Sequence, residues 1–355
     1  MINVTKTYLP PLAEYQVYLK QIWESKQITN RGNLVLELEK QLKDYLKVPH
    51  LLFVTNGMLA LQLAIKAFAL SGEIITTPFS YVATTTAILW EQCEPIFVDI
   101  NTQTFCIDAD KIEEKITEKT TAILATHVYG YPCEVEKIQE IAQKHSLKVI
   151  YDAAHCFGVK YNGHSILDYG DISTISFHAT KLFHTIEGGA IVCQNKELFE
   201  KLRLLHQFGH TGDEHHSIGT NAKASEVQAA MGLCNLPKIE YITENRKKIS
   251  EVYKNLLKNL SLQYPYFEGN FEYNYAYFPV VFESEELLLK VKNKLAENQI
   301  NTRRYFYPSL NTLSYLKNYQ TCPVSEDIAK RVLCLPLYDS LEISTVEQIC
   351  NLIQL

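Results

Sequence analysis

One lysine in the middle of the chain has surroundings that favour covalent chemistry. Lys181 follows the apolar run Ile172–Phe177 and precedes the pair Gly188-Gly189, which opens a second apolar run. A lysine at the end of a buried strand loses hydration, which lowers the pKa of its amine and makes the amine a nucleophile. Such an amine can form a Schiff base with an aldehyde. The alternative is an ordinary surface lysine in a loop between two strands.

A carboxylate and a glycine turn follow two other strand-like runs. Asp152 comes directly after Val149-Ile150-Tyr151, and Gly57 precedes a helix-like segment that begins near Met58. In open α/β sheets ligands bind beyond the carboxyl ends of the strands. A carboxylate there can hold a protonated pyridinium nitrogen, and the first turn of a helix can bind a phosphate. Alternatively, Asp152 caps the next turn, and Gly57 belongs to an ordinary strand-to-helix turn.

Two ring side chains lie near the same strand ends. His155 is three residues after Asp152, and Tyr81 follows the predicted strand Glu73–Thr76. Either ring could contact a planar cofactor, and either could instead be a packed core residue. A strand-end acid, a lysine downstream, a glycine turn and an aromatic ring together indicate a site for pyridoxal 5'-phosphate (PLP).

Strand-like and helix-like segments alternate through the first half of the chain. The strand candidates are Leu51–Val54, Glu73–Thr76, Pro95–Val98, Thr121–His127, Lys148–Tyr151, Ile172–Phe177 and Ala190–Cys193. The helix candidates are Met58–Ala69, Ala83–Trp90, Ala109–Lys115, Glu136–His145, Glu197–Leu205 and Ala224–Leu236. This alternation predicts an α/β fold whose mixed, mostly parallel sheet is covered on both faces.

The pattern changes after Pro237. A long polar helix is predicted over Lys238–Leu260, followed by a strand over Tyr275–Phe282 and helices over Glu285–Glu297 and Thr345–Leu355. We therefore expect a large domain over residues 1–237 and a smaller α+β domain over residues 238–355. No low-complexity linker separates them, so the two domains should be closely docked.

Composition excludes several classes of function. The net charge of −6 and the lack of a basic cluster argue against nucleic-acid binding, and no apolar run is long enough to span a membrane. Nine scattered cysteines and an N-terminus without a signal-peptide pattern favour the cytoplasm. One acidic and histidine-rich segment is predicted to be a mobile loop without a metal: His210, Asp213, Glu214, His215 and His216.

Two longer motifs carry a family resemblance. The first is Ser176-Phe177-His178-x-x-Lys181 with Glu187-Gly188-Gly189-Ala190, and the second runs from Gly219 to Ala230. With these motifs the chain resembles the DegT/StrS family of sugar aminotransferases, within the fold-type I (aspartate-aminotransferase-like) PLP enzymes. The resemblance covers nearly the whole chain. It implies two half-transaminations, in which L-glutamate first converts PLP to pyridoxamine phosphate.

The resemblance also implies roles around the cofactor ring. Lys181 would carry PLP as an internal aldimine and later move the proton between the amine carbon and the cofactor. Asp152 would pair with the pyridinium nitrogen. Tyr81 would stack on one face of the ring, and His155 would contact the ring at the position where relatives have Gln or His.

A phosphate site and a dimer follow from the same resemblance. Ser176 and the backbone of Gly57 and Met58 would bind the cofactor phosphate. Relatives often have Thr at the position of Met58, so one hydroxyl contact is missing here. Asn221 would reach the phosphate in the neighbouring subunit, so we expect a homodimer.

The second substrate implied by the resemblance is a keto-sugar nucleotide. It would lie across the dimer cleft and contact the loop that contains Asn30 and Arg31. It would also contact a second segment through Arg303, Arg304 and Tyr307, where either arginine could bind the diphosphate or simply face solvent.

The sugar itself is predicted from the residues near the lysine. The sequences Lys-Leu-Phe-His-Thr-Ile-Glu-Gly-Gly and Arg-Arg-Tyr-Phe-Tyr-Pro-Ser-Leu are most similar to family members that aminate C4 of dTDP-4-keto-6-deoxyglucose. Amination of C3 in a dTDP-3-keto-6-deoxyhexose is the alternative. A non-catalytic or sensor protein of this fold is a third interpretation, which Lys181 disfavours. A nicotinamide dehydrogenase would need a Gly-x-Gly-x-x-Gly turn, which does not follow the first strand.

Overall fold

A seven-stranded sheet forms the centre of the structure, a computed structural model that describes residues 1–354. Its strands are short runs of β-branched and aliphatic residues, which suit a sheet buried on both faces. Along the described chain the strands are β1 (His50–Val54), β2 (Glu73–Thr76), β3 (Glu94–Phe97), β4 (Thr120–Thr126), β5 (Lys148–Asp152), β6 (Lys160–Tyr161), β7 (His164–Ser165), β8 (Ile172–Ser176), β9 (Gly189–Cys193), β10 (His210–Thr211), β11 (Glu214–His215), β12 (Phe271–Glu272), β13 (Phe278–Val281) and β14 (Val332–Leu335).

The central sheet is mixed and mostly parallel, as the sequence predicts. Its order in space is β1-β9-β8-β5-β4-β2-β3, and only β9 runs antiparallel to its neighbours. Each of these seven strands begins and ends within one residue of its predicted bounds. The carboxyl ends of β2, β4, β5 and β8 meet at one edge, where ligands bind in such folds.

Helices cover both faces of this sheet. Other helices belong to the C-terminal part. Along the described chain the helices are α1 (Leu12–Ser25), α2 (Asn33–Leu46), α3 (Gly57–Ala67), α4 (Val82–Trp90), α5 (Val135–His145), α6 (Lys196–Leu205), α7 (Glu226–Asn235), α8 (Ile239–Leu257), α9 (Glu285–Glu297), α10 (Pro323–Arg331) and α11 (Ile343–Ile353). Alternate residues of a strand point to opposite faces. Leu52 and Val54 therefore pack with α3, α4 and α6, whereas Leu51 and Phe53 pack with α2, α5 and α7.

The C-terminal part has a hydrophobic cluster of its own. Helices α8, α9 and α11 pack around the antiparallel pair β13–β14. The first residues of the chain join this part, because Ile2 pairs with Ile300 and the Leu337 amide donates to the Val4 carbonyl. The domain boundary at residue 237 remains a prediction.

Several predicted elements differ from the structure. The helix predicted over Ala109–Lys115 is wrong: two 3-10 turns occupy this segment, with an i-to-i+3 hydrogen bond from the Lys115 amide to the Ile112 carbonyl. So short a segment cannot offset the cost of starting an α-helix. The strand predicted over Tyr275–Phe282 is limited to β13, and α8 ends at Leu257 rather than Leu260. Leu355, the predicted end of the last helix, lies outside the described residues.

The histidine-rich segment forms a short hairpin. Strands β10 and β11 pair through His210 with His215 and Thr211 with Glu214, where the sequence predicts a loop. In residues 1–354 no group of three or more His, Cys, Asp or Glu side chains is placed to hold a metal ion. Within the same range, none of the helices has the length and apolar character needed to cross a bilayer.

Candidate active site

A cavity of about 470 Å³ opens at the edge of the sheet where β5 and β8 end. Its walls come from the start of α3, the residues that precede α4, the ends of these two strands, and two aromatic segments of the C-terminal part. Eight predicted site residues line it: Gly57, Met58, Tyr81, Asp152, His155, Ser176, Lys181 and Arg303. The sheet brings the first seven together, because strands that run in the same direction end at the same edge, and Arg303 is added from the C-terminal part.

Lys181 lies in the tight connection between β8 and β9. Hydrogen bonds from the Lys181 amide to the His178 carbonyl (2.8 Å) and from the Thr185 amide to the Phe177 carbonyl (2.9 Å) shape this connection. Burial lowers the pKa of the Lys181 amine, although the nearby Asp152 carboxylate opposes the shift. A lowered pKa leaves more of the amine neutral near pH 7, and the neutral amine is the nucleophile.

Asp152 is the last residue of β5, and only 6% of its surface is exposed. One carboxylate oxygen accepts a hydrogen bond from the Thr84 hydroxyl at 2.7 Å, and the other accepts from the Ala154 amide at 3.1 Å. Burial raises the pKa of the Asp152 carboxyl, while these two bonds and Lys181 act in the opposite direction. A buried carboxylate with few partners is suited to pair with a cationic ring nitrogen.

The first turn of α3 forms a cradle for an anion. The Asn56 side chain caps the helix by accepting from the Leu59 amide at 2.9 Å. The amides of Gly57 and Met58 have no partner within the helix, since they belong to its first turn. A Cβ added to Gly57 would lie 3.0 Å from the Cβ of Ser176, so glycine lets Ser176 close this cradle.

Gly189 is required by the same cradle. A Cβ added to Gly189 would lie 2.7 Å from the carbonyl carbon of Asn56. The backbone of β9 therefore passes directly beneath the start of α3, where any side chain would push the cradle away. This close approach explains why the apolar run after Lys181 opens with glycine.

His155 and Tyr81 lie on different walls of the cavity. The Tyr129 amide donates to Nδ1 of His155 at 3.1 Å, so the proton of the neutral ring is on Nε2. Burial lowers the pKa of His155 well below its ordinary value and keeps the ring neutral. Tyr81 directly precedes α4, and 52% of its surface is exposed, which leaves its ring free to stack on a ligand.

Three aromatic residues of the cavity wall were not among the predicted site residues. Tyr277 accepts a hydrogen bond from Nζ of Lys181 at 3.4 Å, and its ring lies edge-on to His155 with 4.9 Å between centroids. Tyr305 and Phe306 complete this wall. Tyr277 belongs to an alternating series of tyrosines at residues 273–277, which precedes β13 and is only partly exposed. No local pattern identifies it as a site residue.

Five predicted site residues lie outside the cavity of the single chain: Asn30, Arg31, Asn221, Arg304 and Tyr307. Arg31 forms an ion pair with the buried Glu39, with 2.5 Å between Nη2 and Oε2. Arg304 donates to Glu285 and to the Lys330 carbonyl, each at 2.7 Å. Asn30, Asn221 and Tyr307 are exposed. Their proposed roles concern a second subunit or a large substrate.

The family of this chain follows from comparison with known sequences. The pattern of the DegT/DnrJ/EryC1/StrS aminotransferase family matches residues 12–354. The chain belongs to this family. The resemblance expected from the Ser176–Ala190 motif is thereby confirmed, and the protein is a PLP-dependent aminotransferase.

Individual members of the family are similar over almost their whole length. A dTDP-4-amino-4,6-dideoxy-D-glucose transaminase of Shigella dysenteriae is 42% identical, over 99% of this chain and 98% of that protein. An Escherichia coli protein of the same description is 39% identical over the same shares. The crystal structure of DesI in the presence of its TDP-sugar product superposes with a TM-score of 0.95 at 29% identity, over 99% of this chain and 92% of that one.

The residues of the cavity fit the cofactor of the family. A glycine cradle at the start of α3 suits a phosphate, and the buried carboxylate of Asp152 suits a pyridinium nitrogen. Lys181 supplies an amine of lowered pKa between these two features. The chain therefore contains a matching group for each reactive part of PLP.

Proposed function

We propose that this aminotransferase moves the amino group of L-glutamate to C4 of dTDP-4-keto-6-deoxyglucose. The observation that carries the proposal is the meeting of Lys181 and Asp152 in one cavity with a phosphate cradle. The dTDP sugar and the C4 position are supported by the two relatives described as dTDP-4-amino-4,6-dideoxy-D-glucose transaminases.

The chain's own residues would hold the cofactor at its phosphate, ring nitrogen and ring face. The Gly57 and Met58 amides and the Ser176 hydroxyl would bind the phosphate, and Tyr81 would stack on the ring. When bound, PLP stores the amino group between the two half-reactions and delocalises the electron pair left by a broken C–H bond. Asp152 supports this delocalisation by keeping a negative charge beside the ring nitrogen.

Lys181 is the proposed acid and base. Its neutral amine would take the proton from Cα of glutamate in the first half and deliver a proton to C4 of the sugar in the second. Tyr277, in hydrogen-bond contact with Nζ, would orient that amine. His155, held neutral by burial, would donate from Nε2 to an oxygen on the cofactor ring.

The atoms balance over the two halves. In the first, glutamate loses its amino group and the hydrogen on Cα, water supplies the keto oxygen, and 2-oxoglutarate leaves. In the second, C4 of the sugar gains the amino group and a hydrogen, and its keto oxygen leaves as water. No external oxidant or reductant is needed.

Arg303 is the better candidate for the sugar-nucleotide diphosphate. Its guanidinium lies over the Tyr305 ring at 4.6 Å and lines the cavity. Arg304 is instead held by Glu285. A guanidinium can bind diphosphate oxygens through bidentate hydrogen bonds, and among the described residues no carboxylate competes for the guanidinium of Arg303. Tyr307 and the loop of Asn30 and Arg31 would contact the sugar nucleotide from outside the single-chain cavity.

A homodimer completes the proposed site. Asn221 is exposed, and its backbone bridges to Gln207 rather than to the cavity of its own chain. We infer that it reaches the cofactor phosphate of a second subunit, as the family resemblance implies.

The nine cysteines are free and buried, which supports the predicted cytoplasmic location.

The decisive experiment follows the nitrogen atom. The pure holoenzyme is incubated with ¹⁵N-glutamate and dTDP-4-keto-6-deoxyglucose, and the product is examined by NMR, with Lys181→Ala as the inactive control. An equatorial ¹⁵N-amine at C4 is expected. An axial amine would keep the position and change the product sugar. If glutamate bleaches the cofactor band but no product forms, the transaminase stands, the C4 proposal fails, and 3-keto sugars are tested next.

A further inference from the structure

Three buried hydroxyl groups connect the Asp152 carboxylate to the interior of the sheet. Oγ1 of Thr126 lies 3.1 Å from Oγ of Ser80, which lies 2.8 Å from Oγ1 of Thr84. Oγ1 of Thr84 is 2.7 Å from Oδ2 of Asp152. All four side chains are at least 94% buried.

The Asp152 carboxylate sets the direction of the hydrogen bonds in this hydroxyl chain. An ionised carboxylate only accepts hydrogen bonds, so the single hydroxyl proton of Thr84 must point to Asp152. Ser80 must then donate to Thr84, and Thr126 must donate to Ser80. Each hydroxyl therefore polarises the next one toward Asp152, which strengthens hydrogen bonds that lie in series.

The fold brings these groups together from four separate parts of the chain. Thr126 and Asp152 end the adjacent parallel strands β4 and β5 and are direct partners in their register. Ser80 follows β2, and Thr84 lies in the first turn of α4, which begins at Val82. Four polar side chains at one sheet edge, each bonded to the next, form a built network rather than scattered core hydroxyls.

We propose that Thr84, supported by Ser80 and Thr126, is a positioning residue that keeps Asp152 ionised and aimed at the cofactor ring nitrogen. The inference rests on the proposed function, since it requires Asp152 to be the partner of that nitrogen. Thr84 itself does not line the cavity and acts only through Asp152.

Three other titratable groups lie near Asp152. Lys181 approaches from the β8–β9 connection and stabilises the carboxylate, whereas Cys156 is close enough for Asp152 to raise the pKa of its thiol. His155 is neutral because burial lowers its pKa. Among these groups only Lys181 stabilises the negative charge of Asp152, and its amine is engaged once the cofactor is bound. The Thr84 hydroxyl and the Ala154 amide then remain as the protein's hydrogen-bond donors to that carboxylate.

The test compares three substitutions in the holoenzyme. Thr84→Val removes the hydroxyl and keeps the shape, and Thr84→Ser keeps the hydroxyl. Thr85→Val is the matched control, because Thr85 is equally buried and its hydroxyl has no hydrogen-bond partner in the described chain. Each variant is measured for PLP affinity and for the pH at which the visible band of the bound cofactor titrates.

Thr84→Val should weaken PLP binding about tenfold, the effect expected from losing a hydrogen bond to a charged group. Without the Thr84 hydroxyl the Asp152 carboxylate is also more basic, so the proton that it shares with the ring nitrogen moves toward the carboxylate. The ring then withdraws fewer electrons from the nitrogen that joins it to Lys181, so the visible band should titrate about one pH unit higher. Thr84→Ser and Thr85→Val should match the unaltered enzyme.

Two further variants separate the possible failures. If Asp152→Asn shifts neither reading, Asp152 is not the ring partner and the proposed assignment of this residue fails. If Asp152→Asn shifts both readings while Thr84→Val shifts neither, the proposed role of the hydroxyl chain is refuted and the proposed function survives. Should Thr84→Val fail to fold, Ser80→Ala interrupts the hydroxyl chain one step earlier and must shift both readings in the same direction by a smaller amount.

Discussion

The two neighbouring arginines of residues 303 and 304 allow a sharp test of substrate binding. Arg303 lines the cavity, and in residues 1–354 it has no carboxylate partner within ion-pair distance. Arg304 is held by Glu285 and by the Lys330 carbonyl. We therefore expect Arg303→Ala to weaken binding of the sugar nucleotide and Arg304→Ala to weaken the fold.

The expected magnitudes follow from these surroundings. Hydrogen bonds to charged groups contribute about 1.5–3 kcal/mol each, and solvent reduces this for the exposed Arg303. Arg303→Ala should thus raise the KM for the dTDP sugar about tenfold, with a smaller change in kcat. Arg304→Ala should leave that KM unchanged and lower the free energy of unfolding by about 1–2 kcal/mol, since a partly buried ion pair and a carbonyl contact are lost.

The assay separates the two half-reactions. Steady-state kinetics with saturating glutamate report KM for the sugar, while bleaching of the cofactor band by glutamate alone reports the first half, which both variants should leave unchanged. The contribution of Arg303 should also decline with added salt, because an exposed ionic contact is screened. The assigned role of Arg303 is refuted if Arg304→Ala raises KM and Arg303→Ala does not, or if Arg303→Ala slows the glutamate half-reaction.

Three other perturbations test the site. Lys181→Ala should retain the fold but lose transamination and the visible cofactor band, as spectroscopy and the ¹⁵N assay will show; normal turnover would contradict the central assignment. Gly57→Ala should weaken PLP binding roughly tenfold, about 1.4 kcal/mol, because its methyl group would press on Ser176 at 3.0 Å. Equal PLP affinity would show that the cradle lies elsewhere. An equimolar, co-refolded mixture of inactive Lys181→Ala and impaired Asn221→Ala chains should regain activity, because one site of each mixed dimer is then intact; no recovery would place Asn221 in its own chain's site.

The pH dependence of cofactor capture provides a fourth test. Burial lowers the pKa of Lys181 below its ordinary 10.5. The pH at which the apoprotein reacts with PLP at half its maximal rate should therefore lie below 10.5. The sign follows because only the neutral amine attacks an aldehyde, and a lowered pKa increases the neutral fraction at any given pH. Stopped-flow reconstitution between pH 6 and 11 measures this midpoint. A midpoint at or above 10.5 would contradict the burial of the amine.

Local patterns predicted the central sheet closely. Short runs such as Ile172–Phe177 are too apolar and too β-branched for a loop, and the turns around them are polar. The prediction failed where local and tertiary preferences disagree. Ala109–Lys115 has helical spacing but forms 3-10 turns. Helices α1 and α2 were not predicted, although the buried Leu34, Leu38, Leu42 and Leu46 of α2 recur at helical spacing.

The sequence by itself determined that Lys181 and Asp152 would meet, because each follows a buried strand and parallel strands end at one edge of a sheet. Only the tertiary structure decided what surrounds them. Thr84 is 68 residues from Asp152, and Tyr277 is 96 residues from Lys181, so no local pattern links either pair. The direction of each pKa shift and the choice between Arg303 and Arg304 likewise depend on burial and on distant partners. These are properties of packing, which the order of residues encodes only through the complete fold.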